Sequence, residues 1–205
     1  GDTITITHNG RTWGPIRMMS DRDPTKLDFK GVDVVPGVTD FCVNLCCGQM
    51  WGWADDSVDE LRSSHFIEHI DAGYVETAPL GKPSRRLDAL LWFFDEAFRV
   101  AKDGAVFTVQ WPALQSVRAF QDPTHRRYIP AETIHYLSRE GRKAMGVEHY
   151  GATCNWIGSV APTIVETDED KLKSDEVRVR DQGRKYRETW NYAQDFVAVL
   201  KAVKS

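Results

Sequence analysis

The sequence has no apolar run long enough to cross a bilayer and no signal-like start. A membrane-spanning or secreted protein is therefore not expected, and the cytoplasm is the expected compartment. It has only four cysteines, Cys42, Cys46, Cys47 and Cys154, without the paired C-x-x-C spacing of a zinc site. Cys46 and Cys47 are adjacent and poorly placed to bond to each other, so free thiols in a reducing compartment are expected. It has no surplus of positive charge. With 26 Lys and Arg against 30 Asp and Glu the net charge is −4, which argues against a protein that coats nucleic acid but leaves room for a local basic patch. No internal repeat and no sign of a second domain is found, so residues 1–205 read as one domain. What is present is a 205-residue chain, 41% hydrophobic and 27% charged, long enough for a full core.

Apolar strand patterns alternate with helical ones, which points to an α/β protein with a parallel sheet. Residues 3–7 alternate Thr and Ile, and Asn9-Gly10 is a hairpin signal, so 3–17 is expected to form an added β-hairpin. Main-sheet strands are predicted at 16–19, 31–35, 41–45, 60–64 and 105–111, the last halted by Pro112. Residues 71–83 hold Gly, Pro and small side chains and read as a loop. The clearest helix is 84–102, where Leu87, Leu90, Leu91, Phe94 and Phe98 recur at helical spacing. Ser84 would cap it and Asp103-Gly104 would end it. A second helix is predicted at 130–142, β-structure at 155–166 and a last strand at 196–203. Residues 167–188 are strongly charged and would be an extended arm or loop. Its basic residues, Arg178, Arg180, Arg184, Lys185 and Arg187, are interleaved with acids, as on a solvated face.

Residues 55–69 carry the most information. They read as a polar turn, a strand, and then Ser64, His65, Glu68 and His69 gathered at the strand's end. Ligands of open α/β sheets bind at such carboxyl ends. The run Asp55-Asp56-Ser57-Val58-Asp59-Glu60, followed by Ser64-His65-x-x-Glu68-His69, resembles the fourth-strand region of class I S-adenosylmethionine-dependent methyltransferases. Within that family the small type 11-like group of bacteria and phages is the nearest in pattern. Two further blocks agree in order and spacing. Phe98-Arg99-Val100-Ala101-Lys102-Asp103-Gly104-Ala105 is similar to the family's junction between helix and fifth strand. Ala119-Phe120-Gln121-Asp122-Pro123-Thr124-His125-Arg126-Arg127-Tyr128 is similar to the loop after the fifth strand. The resemblance covers about residues 16–140.

The resemblance implies a Rossmann-like class I methyltransferase fold, mostly parallel with a C-terminal antiparallel hairpin. It implies S-adenosylmethionine as cofactor, and the host cytoplasm as location if the chain is phage-encoded. The cofactor would lie on Met19 and Ser20 after the first strand, Asp33 after the second, Asn44 and Leu45 after the third, and Ser64 and His65 after the fourth. A carboxylate at Asp33 suits a ribose diol because it offers two acceptor oxygens; the bland alternative is a solvated loop carboxylate. One departure stands out. Ser20 and Arg22 occupy positions where the family has glycines that let the backbone approach the cofactor.

Several side chains on the acceptor side could carry chemistry. Asp122 and His125 share the loop after the fifth strand, and a histidine there could take a proton from an acceptor hydroxyl or amine. Asp122 could equally start an Asp-Pro turn. Glu68 and His69 are read first as bracing the short helix after the fourth strand, next as acid–base or substrate-contact residues, and last as metal ligands. H-x-x-E-H is also the inverted zinc-protease motif, but that motif needs a helix where residues 59–64 read as a strand. Some methyltransferases hold a divalent cation on a similar E-x-x-E-H motif, whose first Glu is replaced here by His65. No metal is expected. Trp51, Trp53 and Trp111 are read as packing residues before base-stacking ones.

The leading expectation is methyl transfer from S-adenosylmethionine to an O or N nucleophile. His125, Asp122 and His69 would be the catalytic candidates. The acceptor would be a small molecule, a nucleotide or nucleic acid, with no membrane partner; the oligomeric state is not legible. The competing class is a non-catalytic binding or assembly protein that kept the fold and altered or lost the cofactor site, its motive being Ser20 and Arg22.

Overall fold

The period-2 pattern of residues 105–111 becomes the centre of the molecule. In the computed structural model Ala105, Phe107, Val109 and Trp111 all point inward from one long strand, β8 (Ala101–Pro112), and are almost fully buried. The structure describes the backbone of residues 3–8, 11–17, 32–33, 41–42, 45, 50–77, 85–164 and 189–205, and the side chains of 45, 50–77, 85–164 and 189–205. The expected cofactor residues Met19, Ser20 and Asn44 lie outside the described residues, as does the side chain of Asp33. So does the charged segment 167–188.

Around β8 stands a four-stranded mixed sheet. Its elements are β5 (Val58–Ser64), β8, β9 (Trp156–Ile164) and β10 (Ala193–Ala202), in the order β5-β8-β10-β9. β5 and β8 are parallel, while β10 runs antiparallel to both β8 and β9. The C-terminal antiparallel hairpin that the family resemblance implies is present, and it folds back so that its second strand lies between β8 and β9. A shorter parallel pair, β3 (Val32–Asp33) and β4 (Phe41–Cys42), matches the expected second and third strands over two residues each. The N-terminal hairpin forms as expected from Asn9-Gly10. β1 (Thr3–His8) and β2 (Arg11–Arg17) pair antiparallel, with a register shift between Thr5 and Ile6. β2 runs beside β5 and β1 beside β3, so the hairpin itself neighbours the fourth strand.

The helix predicted at 84–102 is shorter. α1 spans Ala89–Val100, capped by the Asp88 carboxylate, which accepts the Leu90 N–H at 2.9 Å. Residues ahead of it form β7 (Arg85–Asp88), which pairs antiparallel with β6 (Tyr74–Thr77). Part of the predicted 71–83 loop is thus a strand. Leu87 is buried as expected, but from a strand rather than from the helix. The helix ends at Ala101, whose backbone is already extended, and β8 follows without a turn. Gly104 does not end the helix. It sits inside β8 with φ +79°, where the register between β5 and β8 slips from Val58↔Ala101 to Glu60↔Val106. A side chain is strained at that φ, which explains glycine at the bulge.

Residues 130–142 also split. A 3₁₀ stretch, Ala131–Leu137, is followed by α3 (Arg139–Met145). Ser138 separates them because its hydroxyl accepts the Gly141 N–H at 3.0 Å, which starts a new helix.

The core lies between α1 and the sheet. Phe93 and Phe94 pack against Phe107, and Trp156 packs on both Phe98 and Phe107, with ring centroids 5.3 to 6.1 Å apart across these and neighbouring pairs. Each such fully buried ring contributes about 1.5–3 kcal/mol. α1 is apolar nearly all round yet carries two buried acids. Asp95 accepts the N–H groups of Thr153 and Cys154 and pairs with Arg85 at 2.6 Å. Glu96 accepts the Trp51 N–H and pairs with Arg99 at 2.6 Å. These acids bind the loops on either side to the helix.

Candidate functional site

β5 ends at Ser64, and His65 leaves the strand in the left-handed region, with φ +51°. Histidine is among the few side chains enriched there. The His65 N–H still extends the ladder, donating to the Gln110 carbonyl of β8 at 2.8 Å. That reversal starts a single 3₁₀ turn, Ile67–His69. It drives Glu68 inward, where only 2% of it stays exposed. The Glu68 carbonyl accepts N–H donors from both Arg126 and Arg127, at 2.8 and 3.0 Å. The turn after the fourth strand is thereby clamped to the loop after the fifth. The sequence reads Glu68 and His69 first as bracing the helix after the fourth strand; no side chain caps that turn, and the Glu68 backbone instead ties it to the next loop.

The loop is self-supporting. α2 (Val117–Gln121) is capped by the Ser116 hydroxyl, and it hands over to Asp122. Asp122 Oδ1 accepts both the hydroxyl and the N–H of Thr124, at 2.6 and 2.8 Å. The Thr124 hydroxyl and backbone amide hold the Asp122 carboxyl below its ordinary range, against a smaller upward push from burial. The Asp-Pro turn reading is thus correct locally. The same turn also sets His69, whose Nδ1 lies 3.2 Å from the Thr124 Oγ1 and 3.4 Å from its carbonyl oxygen. The Thr124 proton goes to Asp122, so Oγ1 accepts and His69 Nδ1–H donates. His125 Nδ1–H donates to the Ala119 carbonyl at 2.8 Å. Both tautomers leave Nε2 as the basic nitrogen.

These elements enclose a cleft of about 480 Å³, lined by His65, Glu68, His69, Asp122 and His125 together with Arg118. Five residues singled out in the sequence, His65, Glu68, His69, Asp122 and His125, therefore meet in one place. The His69 and His125 rings stand edge-on, 4.8 Å between centroids. Ser64 sits behind them, its hydroxyl 3.5 Å from the Gln110 side chain. Leu45 is a core residue whose carbonyl accepts the Trp51 indole N–H at 3.3 Å. Trp51 and Trp111 are both 2% exposed, in line with packing. Asp33 closes β3 at its carboxyl end.

Two residues of the site went unnoticed in the sequence. Asp195 of β10 is buried, accepts from Arg118 at 2.5 Å and Gln110 at 3.1 Å, and faces His65 Nε2 at 3.8 Å. Asp195 lies one residue ahead of the predicted last strand, 196–203, so the only signal was a carboxylate directly before its apolar run. Arg118 carried no signal, since it lies on a short helix read as loop. Cys154 is excluded as a nucleophile: burial, then the nearby Asp95, pushes its thiol well up, and it stays protonated. Among the described residues, no helix is long and apolar enough to cross a membrane.

No family model and no curated protein matches the sequence. Solved structures do match. A SAM-dependent methyltransferase from Archaeoglobus fulgidus aligns over 85% of this chain and 76% of its own, at 16% identity and a TM-score of 0.50. The chain has the class I methyltransferase fold. In the terms of that fold, β5 and β8 are the fourth and fifth strands, and β9 and β10 form the C-terminal antiparallel hairpin. YcgJ from Bacillus subtilis aligns over 85% of this chain and 82% of its own, at 11% identity and a TM-score of 0.45. The Burkholderia thailandensis 1,6-didemethyltoxoflavin-N1-methyltransferase, solved with 1,6-didemethyltoxoflavin and S-adenosylhomocysteine, aligns over 86% of this chain and 61% of its own, at 10% identity and a TM-score of 0.41. The methyltransferase fold places the His65–His125 cleft past the carboxyl ends of two adjacent parallel strands, where this architecture binds ligands.

Proposed function

We propose that the chain transfers a methyl group from S-adenosylmethionine to an oxygen or nitrogen nucleophile, with the His65–His125 cleft receiving the acceptor. The observation that carries this reading is the convergence of His65, Glu68, His69, Asp122 and His125 at the carboxyl ends of β5 and β8 in a methyltransferase fold. When bound, the cofactor's sulfonium supplies an electrophilic methyl group. The protein's tasks are then to align the acceptor, exclude water and take up the acceptor's proton.

Asp33, at the end of β3, would hold the ribose hydroxyls through its carboxylate. Ser64 and His65, at the end of β5, would face the methionine part. Met19, Ser20, Asn44 and Leu45 complete the proposed cofactor set. On the acceptor side, His125 is the proton acceptor: its Nδ1–H is tied to Ala119, which turns the basic Nε2 toward the cleft wall shared with Glu68. Asp122 acts through Thr124 to orient His69. The cleft volume suits a small molecule or a single nucleotide unit, including one at the end of a nucleic acid.

Calorimetric titration of the full chain with S-adenosylmethionine tests the proposal. Saturable binding that is lost in Asp33→Ala is the expected result. A folded chain with no detectable binding would reject it in favour of a binding or assembly protein on the same fold, the outcome that Ser20 and Arg22 would then explain.

A further inference from the structure

The Glu68 carboxylate is buried, faces the cleft, and accepts no hydrogen bond at either oxygen. The other buried acids show how unusual this is. Asp95 accepts at both oxygens, Glu96 is held by Arg99 and the Trp51 N–H, and Asp195 is held by Arg118 and Gln110. A buried carboxylate without donors is costly, so something cationic belongs beside it.

The neighbouring imidazoles do not meet that need by geometry. His65 Nδ1 lies 3.2 Å from Oε1 but outside hydrogen-bonding alignment, and the ring's other nitrogen, Nε2, faces Asp195 at 3.8 Å. His125 Nε2 faces the same oxygen at 4.0 Å, and its tautomer makes that nitrogen an acceptor. His69 likewise has its proton on Nδ1, against Thr124. Two imidazole acceptors and one carboxylate thus converge. One ligand atom from each of Glu68, His69 and His125 lies within 4.8 Å of the others.

We propose that Glu68, His69 and His125 bind a divalent transition-metal ion. The remote ring nitrogens are already anchored, His125 on the Ala119 carbonyl and His69 on Thr124 backed by Asp122, as outer-shell partners anchor metal-binding histidines. Bonds of about 2.0–2.2 Å from nitrogen and oxygen to such an ion put ligand atoms roughly 3–3.5 Å apart, so closure needs shifts of about an ångström. Two imidazoles with one carboxylate suit zinc, manganese or iron(II) and leave coordination positions open. An acceptor hydroxyl entering the cleft would take an open position, where the ion lowers its pKa and its proton leaves to solvent water rather than to His125. His125 then serves as a ligand, and the acceptor is a hydroxyl-bearing molecule. That use of the ion rests on the function proposed above; the site itself does not.

The test uses the full chain, freed of metal with a chelator and titrated with Mn²⁺ and, separately, Co²⁺. The expected result is one equivalent of Mn²⁺ bound per chain, and Co²⁺ d–d bands without the thiolate charge-transfer band that Cys42, Cys46 or Cys47 would give. Glu68→Gln and His125→Gln, each checked by circular dichroism, should weaken Mn²⁺ at least 100-fold, while His135→Ala at an exposed site leaves it unchanged. No saturable Mn²⁺ binding to the folded wild type overturns the proposal. So does a thiolate band, or unaltered affinity in both folded variants. Failure to bind S-adenosylmethionine in the separate titration would leave the metal result standing, and the converse holds as well.

Discussion

Replacing Glu68 with glutamine should raise stability in the metal-free chain and remove most of the stabilisation that metal gives the wild type. In the metal-free chain the carboxylate is 98% buried by residue area and has no hydrogen-bond donor, while His125 presents an acceptor nitrogen 4.0 Å away. The glutamine amide is nearly isosteric, carries no charge to desolvate, and brings two N–H donors to imidazole nitrogens that can accept them. An unsatisfied buried polar group costs about 1–3 kcal/mol, and a charged one more, so the metal-free variant should gain about 1–3 kcal/mol. For a chain of this size each kcal/mol moves the melting midpoint by about 2–4 °C, which predicts a rise of about 2–12 °C. With metal present that lead should shrink by about 2–2.7 kcal/mol, and the ordering reverses wherever the metal-free gain is smaller than this. At a free ion concentration 100 times the dissociation constant the wild type gains about 2.7 kcal/mol, and the variant, with a ligand removed, gains almost none. Scanning calorimetry of both proteins, in chelator and in Mn²⁺, reads the two differences directly. A Glu68→Gln variant that melts lower than wild type in chelator would refute the reasoning. It would show that the carboxylate is satisfied in solution, with His65 the obvious donor.

Two further outcomes follow from buried and depressed acids. Asp95→Ala removes the acceptor for the Thr153 and Cys154 amides and the partner of Arg85, and should cost about 3 kcal/mol in urea unfolding. That is the low end of the range of about 3–5 for a broken buried pair, since Arg85 is a third exposed and rehydrates; a loss under about 1 kcal/mol would contradict the latch. The Asp122 carboxyl, held down first by the Thr124 hydroxyl and then by its amide, stabilises the fold fully above its ordinary range. That contribution is lost as pH falls through the depressed folded value. Urea midpoints measured from pH 5 downward should therefore fall less steeply in Asp122→Asn than in wild type, and identical slopes would show that the Thr124 contacts do not form.

How far the sequence could be read depended on how local each signal is. The apolar patterns of β8 and β10 could be read because each buries one face and the period survives without knowledge of neighbours, whereas β9 is mostly exposed beyond Trp156 and shows only as a β-rich stretch. The start of α1 was misplaced because a buried strand residue such as Leu87 and a buried helix residue look alike, and because β7 is defined by its partner β6 across residues 78–84. The better local signal was Asp88 immediately before Ala89-Leu90-Leu91, an N-cap followed by an apolar run. The site divides in the same way. His65, His69, Asp122 and His125 could be gathered from sequence because they follow two strands that must end at one edge of a parallel sheet. What could not be read is which of them face one another. His65 takes a left-handed φ, and this is what turns Glu68 rather than His65 into the interior; no pattern in residues 64–69 announces it. Metal binding ranks below bracing in the sequence because residues 59–64 read as a strand and because His65 stands where the similar E-x-x-E-H motif has a glutamate. In the fold the turn is a single 3₁₀ turn, and His125 from the other loop replaces His65 in the candidate triad. The metal question therefore turns on hydrogen-bond direction at Ala119 and Thr124, since those two contacts decide that His69 and His125 offer lone pairs, and not protons, to a buried carboxylate.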